Sequence, residues 1–456
     1  MSEAVQTENK MGVMPVKKLI VTMSLPMMVS MLVQALYNIV DSIFVSQINE
    51  NALTAVTLAF PMQMLVISFG GGTGVGINAL LSKALGEKRF DRADKAANTG
   101  IFLTAIHYVG FVLLGLFAAG PFIRSQTNDP EITAFGTSYL SIVLVLSFGA
   151  LTQMLFERLL QSTGKTFQSM ITQITGAVIN IILDPILIFG LLGMPKLGVS
   201  GAAYATIFGQ MTAGVLAIIF NIRINKEIHL KLKLIFHPDR WTIGRIYAVG
   251  IPSILMMSIG SVMTYLMNRI LIVFSTTATA VFGVYFKLQS FFFMPVFGLN
   301  NGLIPVLAYN YGAKKKARIQ EALRFSIMLA FFIMVAGMMV FLLIPDKLLD
   351  LFSASEGMKQ IGVPALRTIA IHFPIAGISI ALGSTFQAFS KSMYALVISV
   401  CRQLVVLIPA AYLLSLTGEL SLVWWAFPIA EAVSLLLSIY FYTRIRKGIL
   451  DRLEED

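Results

Sequence analysis

Thr175-Gly176-Ala177-Val178-Ile179-Asn180-Ile181-Ile182-Leu183-Asp184-Pro185 lies inside an apolar run that extends from Met170 to Leu192. A run of about 20 apolar residues is long enough to cross a bilayer as a helix. A charged side chain at that depth costs at least about 2.5–3.5 kcal/mol, so Asp184 is expected to face away from lipid and to have a function. Asn180 precedes it by four residues, on the same helix face. Pro185 also frees a backbone carbonyl one turn back. This turn predicts a site for a proton or a small cation, unless Asp184 only joins helices.

Composition indicates the class of protein. The 456-residue chain is 57% hydrophobic and 12% charged, whereas soluble domains are about 45–50% apolar and about 25% charged. We predict an all-α polytopic membrane protein. The single cysteine, Cys401, excludes a disulfide framework. Residues 1–16 are polar and lack the apolar core of a signal peptide.

Twelve apolar spans follow one another along the chain. They are Leu19–Ser46, Ala52–Leu81, Ala96–Ala119, Ile132–Leu155, Phe167–Leu191, Val199–Asn221, Ile243–Phe274, Thr279–Ala308, Ile319–Ile344, Gly362–Phe386, Met393–Leu416 and Leu422–Tyr442. Several spans contain prolines that are candidate kinks, namely Pro26, Pro61, Pro252, Pro295 and Pro305.

Basic residues indicate the orientation of these spans. With the N-terminus inside, the inner segments hold 25 Lys and Arg residues and the outer segments hold 4. The positive-inside rule then predicts that both termini are cytoplasmic. The formal charge of +11 is thus a topology signal, and we expect no nucleic-acid partner.

The chain also repeats itself at a spacing of 226 residues. The coinciding pairs include Pro26 with Pro252, Gly86 with Gly312, Arg92 with Arg318, Gly136 with Gly362 and Lys165 with Lys391. Six spans fit in each half, so both halves enter the membrane in the same direction. We predict a cytoplasmic segment 1–18, an N-lobe 19–221, a cytoplasmic linker 222–242, a C-lobe 243–442 and a cytoplasmic tail 443–456. The lobe interface is where a transporter keeps its substrate site.

Intramembrane acids are concentrated in the first half. Asp41 lies in the first span, whereas the second half has Asn268 nearest the equivalent place and Ala410 near the equivalent of Asp184. The carboxylates of Asp41 and Asp184 with the amide of Asn180 supply hard oxygen donors for Na⁺. They suit a shared proton equally well. We favour H⁺ because burial favours the neutral form of a carboxyl group.

Other side chains are candidates for contact with a substrate. Gln34, Tyr37 and Asn38 share the first span with Asp41, although ordinary interhelical hydrogen bonding explains them equally well. Phe292, Phe293 and Met294 precede Pro295 and are candidates for a cavity wall. In the C-lobe, we expect Glu431 to be paired with Arg402, Lys287 or Arg269.

The twelve spans, the repeat, Asp41, the Asn180-x-x-x-Asp184-Pro185 turn and Gly198-Val-Ser-Gly201-Ala-Ala-Tyr204-Ala-Thr206 resemble the multidrug and toxic compound extrusion (MATE) family. The match covers essentially the whole chain. Residues 284–302 look most like MepA-type bacterial members, near the DinF branch. The resemblance implies two six-helix bundles in a V around a central cavity, and export of cationic or amphipathic compounds in exchange for H⁺ or Na⁺.

The resemblance also implies where the coupling ion binds. In DinF-like members the cation site lies in the N-lobe, and its matching positions here are Asp41, Asn180, Asp184 and Thr206. The NorM branch uses acids in the seventh and tenth spans. Here the seventh span offers Asn268, and the tenth, Gly362–Phe386, contains no Asp or Glu. This departure puts a C-lobe carboxylate site in doubt.

The sequence is compatible with three classes of function. We favour a cation-coupled exporter with no cofactor other than its coupling ion, which acts as a monomer in a cell membrane, most simply the bacterial inner membrane. A lipid-linked oligosaccharide flippase with two lobes is the alternative, but it requires a basic cavity, against which Asp41 and Asp184 argue. An intramembrane enzyme requires a nucleophile or metal-ligand constellation, and the four histidines are not paired at helical spacing.

Overall fold

The computed structural model describes residues 9–352 and 354–453. The outermost residues of the predicted N-terminal segment and C-terminal tail, 1–8 and 454–456, lie outside the described part. Within it the protein is helical and contains no strand. Ten helices are long and apolar enough to cross a membrane, and two further pairs of helices each form a bent span. The prediction of twelve spans is confirmed on this count.

The spans lie where the hydropathy pattern places them. In chain order they are Val16–Ser46, Glu50–Gly86, Phe90–Phe117, Pro130–Val145 with Phe148–Ser162, Thr166–Phe189, Val199–Arg223, Arg240–Leu271, Thr276–Gly312, Lys316–Leu343, Glu356–Ala370 with Phe373–Ala388, Ser392–Ser415 and Leu420–Arg452. Shorter helical segments are Lys10–Val13, Ala119–Arg124, Leu191–Gly193, Leu232–Phe236 and Pro345–Asp350. A π-helical stretch, Cys401–Leu407, interrupts the eleventh span.

Bends occur at places other than the candidate prolines. Pro26, Pro61, Pro252, Pro295 and Pro305 all lie inside helices that continue through them. The sharp bends instead divide the fourth span, by 44°, and the tenth span, by 46°. A helix tolerates an internal proline in a membrane when neighbouring groups satisfy the freed carbonyl.

The backbone confirms the 226-residue repeat. Lys88 and Lys314 both have a positive φ, of 58° and 57°, and so do Gly164 and Ser390, of 89° and 57°. The N-caps repeat as well, because Asn49 accepts a hydrogen bond from Ala52 N and Ser275 accepts one from Ala278 N. Non-glycine residues rarely adopt positive φ, so the recurrence at one spacing shows that the two halves share a fold.

The chain forms two compact units, and their boundaries differ from those of the predicted lobes. The first unit contains Val29–Ile254 with the described residues up to Lys10, and the second contains Met11–Met28 with the described residues from Leu255 onward. The first and seventh spans are therefore each divided between the units.

Close helix contacts explain these boundaries. In the first unit, a Cβ on Gly72 would lie 2.6 Å from the backbone N of Ile254. In the second, a Cβ on Gly298, which is 226 residues further on, would lie 2.5 Å from Cα of Met28. Small residues let membrane helices approach closely. The second span thereby contacts the initial half of the seventh span, and the eighth span contacts the initial half of the first span.

Candidate functional site

The two intramembrane aspartates of the first unit lie together. Asp184 is fully buried, and its carboxyl group is close enough to that of Asp41 for the two groups to interact. Among the described residues, no N–H or O–H donor reaches Oδ1 of Asp41 or either carboxyl oxygen of Asp184. An ionised carboxylate only accepts hydrogen bonds, so the pair forms a hydrogen bond only when one partner carries a proton. The arrangement favours a cation or a shared proton between the two groups.

Asn180 and Thr206 extend this group of polar atoms. Asn180 Nδ2 donates to Thr206 Oγ1 at 3.3 Å, and both residues are buried. The amide oxygen of Asn180 has no donor among the described residues. Buried acceptors are almost always paired in proteins, so this oxygen is available to a cation.

Glycines set the distance between the fifth and sixth spans. A Cβ on Gly209 would lie 2.6 Å from the carbonyl oxygen of Gly176 and 3.2 Å from Cβ of Asn180. The two helix backbones are therefore nearly in contact one turn beyond Thr206. This contact brings a side chain of the sixth span within reach of Asn180.

Two tyrosines surround the acid pair. Tyr37 lies one turn before Asp41 in the first span and is close enough to both aspartates to interact electrostatically with them. Tyr139, from the fourth span, has the same two acidic neighbours and lies near Gln63 of the second span. Sequence reasoning missed Tyr139 and Gln63. Gln63 is a visible polar residue in an apolar span, but a tyrosine in such a span carries no distinguishing signal.

The remaining candidates of the first span are less buried. Gln34 is half-buried and accepts a hydrogen bond from Gln173 Nε2 at 3.0 Å. Asn38 is exposed, and its carbonyl oxygen accepts a hydrogen bond from Ser42. Exposure within a membrane span fits a residue that faces lipid or a cavity.

The three candidates of the eighth span belong to the second unit. Phe292 packs against Gly337 of the ninth span and against the ring of Phe341. Phe293 is buried beside the rings of Phe373 and His372, and Met294 is half-buried. Phe293 is thus a core residue of its own unit, because the tenth span covers its ring.

Glu431, the acidic residue of the twelfth span, forms an ion pair within the second unit. Arg402 Nη1 donates to Glu431 Oε2 at 3.1 Å, and the Glu431 side chain is almost fully buried. Lys287 instead lies over the ring of Phe352, 5.9 Å from its centroid. The expectation of an ion pair at Glu431 is confirmed, with Arg402 as the partner.

The donor set limits the kind of ion that the first unit can hold. Its oxygens come from two carboxylates, an amide and a hydroxyl, which are ligands for Na⁺ or positions for a proton. No group of three or more His, Cys, Asp or Glu side chains that could hold a metal occurs in the described residues. This set of oxygens fits a weakly bound, transported cation better than it fits a tightly bound structural metal.

Twelve spans, a repeated fold and a buried acid pair define a membrane transporter. The MatE family model matches residues 26–186 and 252–413, and the chain belongs to this family. The two matched segments begin at the repeated prolines Pro26 and Pro252. Membership makes the protein a transporter and not an enzyme, as predicted.

Relatives with the same fold extend over nearly the whole chain. The multidrug export protein MepA of Staphylococcus haemolyticus is 26% identical over 93% of this chain and 93% of its own length. MepA of Staphylococcus aureus strain MRSA252 is 26% identical over 97% of this chain and 96% of its own. A multidrug resistance MATE family transporter solved in an outward-facing conformation is 26% identical, with a TM-score of 0.92 over 99% of this chain and 100% of that one.

Proposed function

We propose that this protein is a secondary antiporter that exports cationic or amphipathic compounds in exchange for H⁺, or for Na⁺. The multidrug export proteins that it resembles over more than nine-tenths of its length support the export of drug-like compounds. The proposed coupling site consists of Asp41, Asn180, Asp184 and Thr206.

The observation that carries the proposal is the group of buried oxygens without donors. Oδ1 of Asp41, both oxygens of Asp184 and Oδ1 of Asn180 lack a hydrogen-bond donor among the described residues. Leaving such acceptors unpaired costs about 1–3 kcal/mol each, so the site is stabilised by a ligand that carries positive charge. A proton on one carboxyl group supplies both the missing donor and the missing charge, and for that reason we favour H⁺.

The same site then links ion and drug. When it is open to the outside, a bound H⁺ or Na⁺ lowers the negative charge of the Asp41–Asp184 pair by one and so weakens its attraction for a cationic drug. The first span then bends near Pro26 and the drug leaves. When the site opens inward, the cation is released. Exchange requires that each ligand favours a different state, because equal affinity for both states shifts nothing.

The finer assignments are part of this proposal. Both termini lie in the cytoplasm, the membrane is the bacterial inner membrane, and a single chain is the functional unit. Gln34, Tyr37 and Asn38 contact the substrate in the first lobe, and the half-buried Phe292 and Met294 contact it in the second, whereas Phe293 belongs to the core of its own unit. The lobes correspond to residues 19–221 and 243–442, joined by the linker 222–242.

Transport by the purified protein in proteoliposomes tests the proposal. An imposed pH or Na⁺ gradient should drive uptake or release of a fluorescent organic cation, and the effective gradient identifies the coupling ion. Asp41→Asn and Asp184→Asn should each abolish gradient-driven export, and drug affinity should lose its dependence on the ion. In the wild type, a coupling of about 1–3 kcal/mol would make each ligand weaken the other about 5–150-fold.

A matched control separates the effect of the Asp41 and Asp184 substitutions from the effect of losing any one carboxylate of the protein. Asp129 caps the helix Pro130–Val145 from an exposed position, and Asp129→Asn keeps a capping side chain. This variant should transport like the wild type. If Asp184→Asn still exports drug against a gradient and still responds to the ion, the carboxylate is structural and the proposed mechanism is wrong.

A further inference from the structure

The segment that leads into the seventh span exposes large apolar side chains. Leu232 is 74% exposed, Phe236 is 72% exposed and Trp241 is 45% exposed. Trp241 is the second residue of the helix Arg240–Leu271, at the place where a spanning helix meets the membrane surface. Tryptophan is enriched at this boundary because its ring is apolar and its N–H is polar. The exposed side chains therefore fit a surface that rests on lipid.

This segment is fixed to the body of the first unit. Asp94 Oδ1 accepts a hydrogen bond from His229 N at 2.7 Å. Asn98 accepts one from Lys231 N at 2.8 Å and donates one to His229 O at 2.8 Å. Both Asp94 and Asn98 are buried in the third span. The position of the exposed apolar side chains is thus determined by buried polar contacts, which distinguishes the segment from a loose linker.

Two arginines share the ring of Trp241. The guanidinium carbon of Arg92 lies 4.9 Å from the ring centroid, and that of Arg245 lies 5.5 Å from it. Lys83 is near enough to both arginines to interact electrostatically with them. Two positive charges therefore lie beside one exposed aromatic ring, and a third, on Lys83, is near them.

The nearby carboxylates are engaged elsewhere. Glu87 pairs with Lys83 and Arg89, and Asp94 pairs with Lys231. Asp239 accepts hydrogen bonds from Thr242. Among the described residues, neither Arg92 nor Arg245 forms an ion pair with a carboxylate. Two guanidinium groups beside the same ring, neither of them paired with a carboxylate, attract an anion to this place.

We propose that Arg92, Trp241 and Arg245 bind the headgroup phosphate of an anionic phospholipid, while Leu232 and Phe236 contact its acyl chains. Guanidinium groups suit this role because their planar donors match a phosphate bidentately. A phospholipid is favoured over a soluble anion because the two arginines lie over the ring of Trp241, which belongs to the same segment as the exposed apolar side chains. The site is separate from the acid pair, so it stands or fails independently of the coupling ion.

Quenching of Trp241 fluorescence by brominated lipids tests the proposal. The full-length protein is reconstituted in vesicles that contain brominated phosphatidylglycerol or brominated phosphatidylcholine. The difference between the wild type and Trp241→Phe isolates this ring from Trp424 and Trp425. Phosphatidylglycerol should quench the Trp241 signal at a lower mole fraction than phosphatidylcholine does. The preference for phosphatidylglycerol should fall about 5-fold for each arginine lost. This factor corresponds to the attraction of about 1 kcal/mol between one basic residue and an anionic membrane surface.

The variant Arg92→Gln/Arg245→Gln should lose the preference for phosphatidylglycerol. Its matched control is Arg223→Gln/Lys226→Gln, which removes the same charge from exposed positions of the linker 222–242 and should retain the preference. If the double arginine variant does not fold, Arg92→Gln and Arg245→Gln are tested singly, each with about a 5-fold loss expected.

Three results would overturn the proposal. The absence of quenching by either lipid would place Trp241 outside the bilayer. An equal loss of preference in the control pair would indicate diffuse charge attraction without a site. Suppression of the preference by millimolar inorganic phosphate would indicate a site for soluble anions.

Discussion

Replacement of Gly209 tests whether the contact between the fifth and sixth spans builds the candidate ion site. In Gly209→Ala, the new Cβ would lie 2.6 Å from the carbonyl oxygen of Gly176, whereas ordinary contact begins at 3.4 Å. The helices must therefore separate by about 0.8 Å at this level. Asn180 Nδ2 and Thr206 Oγ1 are already 3.3 Å apart, so a separation of that size takes them to about 4 Å, beyond hydrogen-bonding range.

The variant should change both stability and coupling. Overpacking of this kind costs about 1–3 kcal/mol, which should lower the melting temperature in detergent. The loss of the Asn180–Thr206 contact should also weaken the dependence of drug affinity on pH or Na⁺, although Asp41 and Asp184 are unchanged. Thermal unfolding and drug-binding titrations at two ion concentrations measure the two effects separately.

Gly214→Ala, five residues further along the same span, is the matched control. A Cβ at Gly214 would lie 3.4 Å from its nearest neighbour, the backbone N of Gln153, and therefore fits. Because alanine favours helix more than glycine does, this variant should be as stable as the wild type or more stable by up to about 1 kcal/mol. Equal behaviour of the two variants would refute the argument that close backbone contact positions Asn180 and Thr206.

Two further outcomes follow from groups outside this contact. Glu431→Gln should leave substantial ion-driven transport but lower the melting temperature, because Arg402 loses its ion-pair partner. Arg402 is half-buried, so the cost should be smaller than the about 3–5 kcal/mol of breaking a fully buried pair. A total loss of transport with normal expression would move the coupling site out of the first unit. Asp239, at the start of the seventh span, has its pKa held below its ordinary value mainly by the hydrogen bond from Thr242 Oγ1. Its stabilising effect should be complete above pH of about 4, the unfolded pKa, and lost as pH falls through the folded value. Asp239→Asn should remove this acid-dependent part of the melting curve, and an unchanged curve between pH 3 and 5 would contradict the assignment.

The spans and the repeat could be predicted because both leave long signals in the sequence. Membrane spans need about 20 apolar residues, and residues such as Pro26 and Pro252 recur at a constant spacing. Asp184 is equally visible, since an acid in an apolar run is rare. Thr206, which the family resemblance suggested as a member of the site, does contact Asn180.

Other features depend on packing that a single sequence does not encode in a readable pattern. Tyr139 resembles any tyrosine of an apolar span until the fold places it beside Asp41 and Asp184. The bend of the fourth span falls between Val145 and Phe148, where Ser147 and the adjacent Gly149 are weaker signals than a proline would be. The boundary of the compact units at Met28 depends on which helix Gly298 touches, and a glycine indicates a close approach without identifying its partner.

The repeat gives the two halves a common backbone, but the Asp41–Asp184 pair of the first half has no equivalent in the second. In the first unit Asp41 faces Asp184, and the pair has no internal counter-charge among the described residues. In the second unit Glu431 has its counter-charge in Arg402. A group that is already neutralised has little to gain from a cation, whereas an unneutralised pair gains the full interaction. Under the proposed mechanism, this asymmetry is what allows ion binding to act on one half of a symmetric fold.

Moving a counter-charge into the first half should therefore uncouple transport without removing either aspartate. Gln63→Lys provides such a charge next to Tyr139, and it should leave drug affinity low at every ion concentration. Ion-dependent drug binding that survives in Gln63→Lys would show that the charge of the aspartate pair is not what the coupling ion neutralises.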